Sequence, residues 1–186
     1  MFVEVRWHGR GGQGVVTASE LLAAAALAEG KYLQAFPEFG PERMGAPIRA
    51  FTRISDEPID IHSHVYTPDV VVVIDPTLLG NPVITEGLSD DGKLIVNFPG
   101  TPDEVRKITK FMGRIYTVNA TKIAMETIGR PIANTCCVGA LVKVTDLVSL
   151  DKVEVQIRNM LGAKIGERGT QANIKALNRA FKEVKS

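Results

Sequence analysis

The sequence predicts an α/β fold: a mostly parallel, Rossmann-like sheet flanked by helices, with extra C-terminal helices. Three observations lead there. The run "VVVVI" at 70–74 lies between Asp69 and Asp75 and reads as a strand buried on both faces. Strand-like and helix-like segments alternate through most of the chain. A glycine loop, "GRGGQG" at 9–14, stands between a strand pattern and a helix pattern. A length of 186 residues with 45% hydrophobic content suits one domain, 1–186, with a substantial core.

In chain order, Phe2–His8 alternates and reads as a first strand. Val15–Glu29 is a helix closed by Gly30, and its apolar residues cover more than one face, so it is expected to be covered on several sides. Lys31–Phe36 is a second strand, and Pro37–Pro47, "PEFGPERMGAP", is a loop. Ile48–Ile54 alternates as a third strand, with Arg49 and Arg53 on one face and Ile48, Ala50, Thr52 and Ile54 on the other. Asp69–Asp75, Lys93–Asn97 and Arg114–Asn119 supply further strands. Helices are expected over Ala120–Ile128, Asn134–Leu147 and Val153–Leu161. A last helix begins near Thr170 as N-cap, with Ile174, Leu177, Phe181 and Val184 on one stripe. Gly162–Gly169 is the most linker-like stretch.

Composition narrows the function classes. Lys plus Arg (22) nearly balances Asp plus Glu (21), so the overall charge offers no attraction to nucleic acid or to an anionic membrane. No apolar run approaches the roughly 20 residues of a membrane span. The start, "MFVEVRWHGR", has no apolar signal core, so a cytoplasmic location is expected. The two cysteines, Cys136 and Cys137, are adjacent, which disfavours a disulfide between them. Two are also too few for a cysteine-ligated iron–sulfur cluster, which takes four. The pair His62/His64 lacks a third ligand at metal spacing.

Polar residues at the carboxyl ends of the strands are His8, Asp75, Asn97 and Asn119. The loop Gly9-Arg10-Gly11-Gly12-Gln13-Gly14 matches G-x-G-x-x-G. Such a loop lets backbone amides and a helix N-terminus face an anion, although a tight turn can need glycine for steric reasons alone. The acidic residue that a dinucleotide enzyme carries about 20 positions on is badly placed, because Glu38 lies beyond Pro37. No Lys-Ser/Thr pair follows the loop, which argues against nucleoside triphosphate chemistry. A second candidate is Glu42-Arg43-Met44-Gly45, set in a Pro/Gly frame, where Arg43 together with Arg10 could meet an anionic ligand or acidic partner residues.

Six stretches occur in order: "GRGGQG", "EFGPERMGAP", "VVVVIDPTLL", "VNATKIA", "NTCCVGAL" and "NIKALNRAF". Together they resemble the gamma subunit of 2-oxoacid:ferredoxin oxidoreductases, most nearly those of the pyruvate type, over nearly the whole chain. The resemblance implies a complex that oxidatively decarboxylates a 2-oxoacid, gives the acyl group to coenzyme A and sends electrons to ferredoxin. Thiamine diphosphate, Mg and 4Fe–4S clusters would sit in alpha, beta and delta partner subunits, with none held by this chain alone. Gly9–Gly14 and Glu42–Gly45 would then lie together near the subunit junction, ordering the active-site region or contacting the phosphate-bearing end of coenzyme A. The rival readings are a free-standing dinucleotide- or flavin-binding oxidoreductase, a pure interaction module, and a gamma subunit serving another 2-oxoacid such as 2-oxoisovalerate or indolepyruvate.

Overall fold

The computed structural model describes residues 1–38 and 45–186. Six strands form one sheet: β1 (Phe2–Arg10), β2 (Tyr32–Glu38), β3 (Pro47–Ser55), β4 (Val70–Val73), β5 (Lys93–Asn97) and β6 (Arg114–Val118). Their order is β2-β3-β1-β4-β5-β6. The four strands β1, β4, β5 and β6 are mutually parallel, while β3 runs antiparallel to both β1 and β2. The expected parallel sheet is therefore extended along one edge by a β2–β3 hairpin.

The helices are α1 (Val15–Leu27), α2 (Pro102–Thr109), α3 (Ala120–Thr127), α4 (Asn134–Thr145) and α5 (Leu150–Glu183). Side-chain alternation along each strand decides which face each residue serves. Val5, Trp7, Val70, Val72, Ile95 and Val118 point into a large apolar core with α1, α3, α4 and α5. Val71, Val73, Leu94, Val96 and Ile115 point the other way, into a smaller cluster closed by Val105 of α2 and by Leu78, Ile84 and Phe111. That is why "VVVVI" is uniformly apolar: both of its faces are covered. Helix α1 is buried on several sides, as its sequence predicts, with Val15, Ala18, Leu21, Leu22, Ala25 and Ala26 all in the large core.

The second face is wholly apolar only under β4–β6. Under β2–β3–β1 the register builds two polar cross-strand rows, Gln34–Arg53–Glu4 and Glu38–Arg49–His8, on either side of a mixed row, Phe36–Phe51–Arg6. Arg49 and Arg53 share this face and Ala50, Thr52 and Ile54 the other, as the period-two pattern predicts.

Four elements differ from expectation, first of them β2, which continues through Pro37 to Glu38 opposite Ala50 and Arg49, where the sequence read a loop. β1 continues past His8 to Arg10, because Gly9 and Arg10 still pair with Ile48 and Pro47 of β3. Helix α2 was not anticipated, although its start carries a capping box: the Thr101 side chain accepts from the Glu104 amide and Glu104 accepts from the Thr101 amide. The two expected C-terminal helices are the two arms of α5, which meet at a kink at Gly166 (φ 68°, ψ 174°) inside the linker-like stretch, so each arm runs further than expected. Thr170 is consequently no N-cap. It is buried in the second arm, and its Oγ1 donates to the Gly166 carbonyl at 2.8 Å, closing that arm's first turn.

Candidate functional site at the carboxyl edge of the sheet

The glycine loop joins β1 to α1 at the carboxyl ends of the parallel strands. Gly14 is the N-cap of α1 with φ 75°, a left-handed conformation that costs little only for glycine. Gly9 is required for a different reason: a Cβ there would lie 2.5 Å from Val15 Cγ2 and 3.2 Å from Gln13 Oε1.

The loop is fastened by its own side chains. Gln13 Oε1 accepts from the Arg10 amide at 2.7 Å, and Gln13 Nε2 donates to Asp75 Oδ2 at 2.8 Å. Arg10 Nε donates to the same Asp75 oxygen at 3.1 Å, Nη2 to Thr77 Oγ1 at 3.0 Å and Nη1 to the Gly45 carbonyl at 3.2 Å. The Gly11 amide donates to the Ala46 carbonyl at 3.0 Å. Asp75 also caps the short turn Pro76–Leu78 by accepting from the Thr77 amide and hydroxyl. Burial opposes its charge, but the bonds from Thr77 and Gln13 and the nearby Arg10 outweigh that and hold its carboxyl below the usual range.

Beside this cluster lies a cavity of about 440 Å³ lined by Gly11, Gly12, Gln13, Asp75, Asn97, Thr121 and Pro131–Ala133, among others. Asn97 is fixed at its floor. Its Nδ2 donates to the Ile74 carbonyl and to Thr121 Oγ1, and its Oδ1 accepts from the Thr121 amide. Two helix N-termini reach this region, α1 at Gly14 and α4 at Ala133. Neither has a side-chain cap and neither has an acidic residue in its first turn. Asn134 joins them: its Nδ2 donates to the Gly14 carbonyl at 3.3 Å, while its Oδ1 is buried without a partner among the described residues. Helix N-termini without side-chain caps suit an anion.

Of the sequence-predicted residues, the structure gathers Gly9, Arg10, Gly11, Gly12, Gln13 and Gly14 with Gly45, through Arg10 and the neighbouring Gly11–Ala46 bond. Glu42, Arg43 and Met44 lie outside the described residues. Asp75, read as a turn residue, does cap a turn and also ties the loop down. Thr77, Asn134 and the N-terminus of α4 belong to the site but carry no local signal; they meet the loop only through pairings more than 60 residues apart in sequence. Asn119 accepts from the Lys122 amide and caps α3. Both cysteines are fully buried in the α4 core, where burial pushes the Cys136 thiol up to about 12 and raises Cys137 well above its ordinary value. Neutral, enclosed thiols do not fit an iron–sulfur cluster.

Fold and site together define an α/β domain with a glycine loop tied to Asp75 beside a cavity at the carboxyl edge of its sheet. The chain belongs to the pyruvate ferredoxin/flavodoxin oxidoreductase family, which matches residues 4–183. It is 54% identical over 184 residues to pyruvate synthase subunit PorC of Thermotoga maritima, an alignment covering 99% of this chain and 95% of the relative. It is 50% identical to the common gamma subunit of the pyruvate/ketoisovalerate oxidoreductases of Thermococcus kodakarensis, covering 95% and 96%. The crystal structure of the Thermotoga maritima subunit superposes with a TM-score of 0.90 at 52% identity, covering 99% of this chain and 97% of that one. The chain is thus a gamma subunit of a 2-oxoacid:ferredoxin oxidoreductase.

Proposed function

We propose that this chain is the gamma component of a cytoplasmic pyruvate:ferredoxin oxidoreductase, acting as one domain across residues 1–186. Alpha, beta and delta subunits would hold the thiamine diphosphate, Mg and 4Fe–4S clusters, and ferredoxin would accept the electrons. Strong similarity over almost the full length to a pyruvate synthase subunit supports the substrate. The Thermococcus kodakarensis relative is named for two oxoacids, which supports a second substrate of the 2-oxoisovalerate kind.

Within that complex the glycine loop, with Gly45 and the adjoining Glu42, Arg43 and Met44, is a docking edge that orders the active-site region. One observation carries this role: Arg10 and Gln13 are both committed to Asp75, so the loop presents a fixed surface instead of mobile charges. A second role, contact with the phosphate end of coenzyme A, is favoured by the two uncapped helix N-termini beside the cavity. Gly11, Gly12 and Gln13, which line the cavity, would meet that phosphate end, while the thiol of coenzyme A would accept the acyl group in the partner subunits.

Arg10→Ala in the assembled enzyme separates the two roles. A docking role predicts a lower kcat with an unchanged KM for coenzyme A. A rise in that KM of tenfold or more would replace docking with direct contact. Capture of the tagged chain from its native source should bring down brown, thiamine-containing partners; recovery of the chain alone, with tight NADH or FAD binding, would overturn the subunit reading.

A further inference from the structure

A second cavity lies on the opposite face of the sheet from the glycine-loop cavity. It measures about 180 Å³ and is lined by His8, Glu38, Arg49 and Asn81 together with Pro47, Ile48, Leu78, Val83 and Ile84. Nothing in the subunit role uses it. Its polar wall is the cross-strand row Glu38–Arg49–His8, whose three side chains stand on neighbouring strands at matched register.

His8 is 3% exposed and its ring is fixed in one tautomer. Arg6 Nε donates to His8 Nε2 at 3.0 Å, so Nε2 must be the acceptor and Nδ1 must carry the proton. Arg6 itself cannot turn away: its Nη2 donates to the carbonyls of Val83, Ile84 and Glu86 at 3.2, 3.2 and 2.7 Å. The His8 Nδ1–H makes no hydrogen bond among the described residues. His8 lines the cavity, and Nδ1–H is the ring donor that the Arg6 bond leaves over. Arg49 gives Nη2 to Glu38 Oε1 at 2.6 Å and has its remaining N–H groups outside the described hydrogen bonds. The charges acting on His8 are the positive ones of Arg6 and Arg49.

We propose that this cavity is a binding site for a short-chain aliphatic carboxylate, held by the His8 Nδ1–H and the Arg49 guanidinium. The donor set wants an oxygen acceptor with negative charge. The walls of Pro47, Leu78, Val83 and Ile84 want an alkyl tail of a few carbons. The size excludes nucleotide cofactors, whose sites run to about 300–1,000 Å³. The site also touches the glycine-loop cluster: Leu78 lines it, and Thr77 in the same short turn holds Arg10. An occupant would therefore stiffen the turn that anchors the loop.

The test is titration of the full chain, with labelled histidine, by sodium propionate at constant ionic strength. Sodium chloride and ethylammonium chloride serve as controls, and the His8 ring resonances are followed by NMR. A saturable shift of the His8 Nδ1–H with propionate, absent with both controls, is expected. Arg49→Gln, which keeps the His8 reporter, should weaken the binding at least tenfold. Val83→Trp, which narrows the cavity and leaves the Arg6–His8 bond alone, should abolish it and keeps the test open if the first variant does not fold. No saturable shift, an equal response to the controls, or undiminished binding by Val83→Trp would overturn the proposal.

Discussion

The two faces of the sheet under β1 and β3 are built on opposite principles. On the helical face the rows are Ala35–Thr52–Val5 and Pro37–Ala50–Trp7, pressed against α1. On the other face the rows hold Arg6, His8, Arg49 and Arg53, and of these Arg6, His8 and Arg53 are at most 3% exposed. The apolar face gains stability from area removed from water, which tolerates small geometric errors. The polar face gains it only while every donor keeps its acceptor, because an unpaired buried charge is costly. Arg53 shows how this is arranged: Nε donates to Glu4 at 2.7 Å, Nη1 to Gln34 at 3.0 Å, and Nη2 to the Ser63 carbonyl at 2.7 Å. The apolar face holds the fold, whereas the polar face holds the strap around residues 59–66 and shapes a cavity.

The comparison can be broken at several points. The largest effect is expected for Trp7→Ala on the apolar face. Trp7 is fully buried and its Nε1 donates to Thr52 Oγ1 at 3.0 Å, so the loss should be about 3–5 kcal/mol, read from the urea midpoint. Arg53→Ala on the polar face should cost about 3 kcal/mol, since it strands Glu4 and the strap carbonyls. Unlike Trp7→Ala, it should also speed proteolytic cutting between residues 56 and 67 under native conditions. Gly14→Ala should cost about 1–3 kcal/mol, from the strained backbone and a clash with Asn134. In the assembled enzyme its loss of activity should exceed that of Trp7→Ala at matched fraction folded.

The smallest effect distinguishes the faces by pH. Burial, then Arg6 and Arg49, lower the His8 pKa to about 3, below its unfolded value of about 6.5. The unfolded chain therefore takes up the proton first. Stability is full above pH 6.5 and falls as pH drops toward 3, by at most about 1.4 kcal/mol per pH unit. Asp75 has a lowered carboxylate pKa, so its contribution is lost only below about pH 4. Urea midpoints at pH 7 and pH 5 should differ less in His8→Gln than in the parent chain. Equal slopes would mean that His8 is not held neutral.

The sequence makes the apolar face far more legible than the polar one. "VVVVI", the alternation in β3 and the all-round apolar surface of α1 each report a local rule, and each is met in the structure. The glycine loop and its helix are local too, and Gly14 shows why the motif is spelled as it is. What escapes is long-range pairing. Asp75 reads as a turn residue because its partners Arg10 and Gln13 lie 65 and 62 positions away. His8 reads as a polar strand end because its meaning depends on Arg49, across the register, and on carbonyls of Val83–Glu86. Helix α2 was legible through Thr101 and Glu104 and through its amphipathic spacing, but it is only eight residues long and buries Val105 alone. The break at Gly166 lies where the glycines predict it, and the arms on either side enter the large core through Val153 and Ile157 and through Ile174, Leu177 and Ala180.

The central claim is that this chain serves a reaction centre built by companion subunits. An omission experiment tests it most directly: ferredoxin reduction by pyruvate and coenzyme A, measured with the alpha, beta and delta subunits alone, with this chain alone, and with all four together. The account predicts no turnover by this chain alone, little without it, and full activity only for the complete set. Turnover by the isolated chain, or undiminished turnover in its absence, would contradict it.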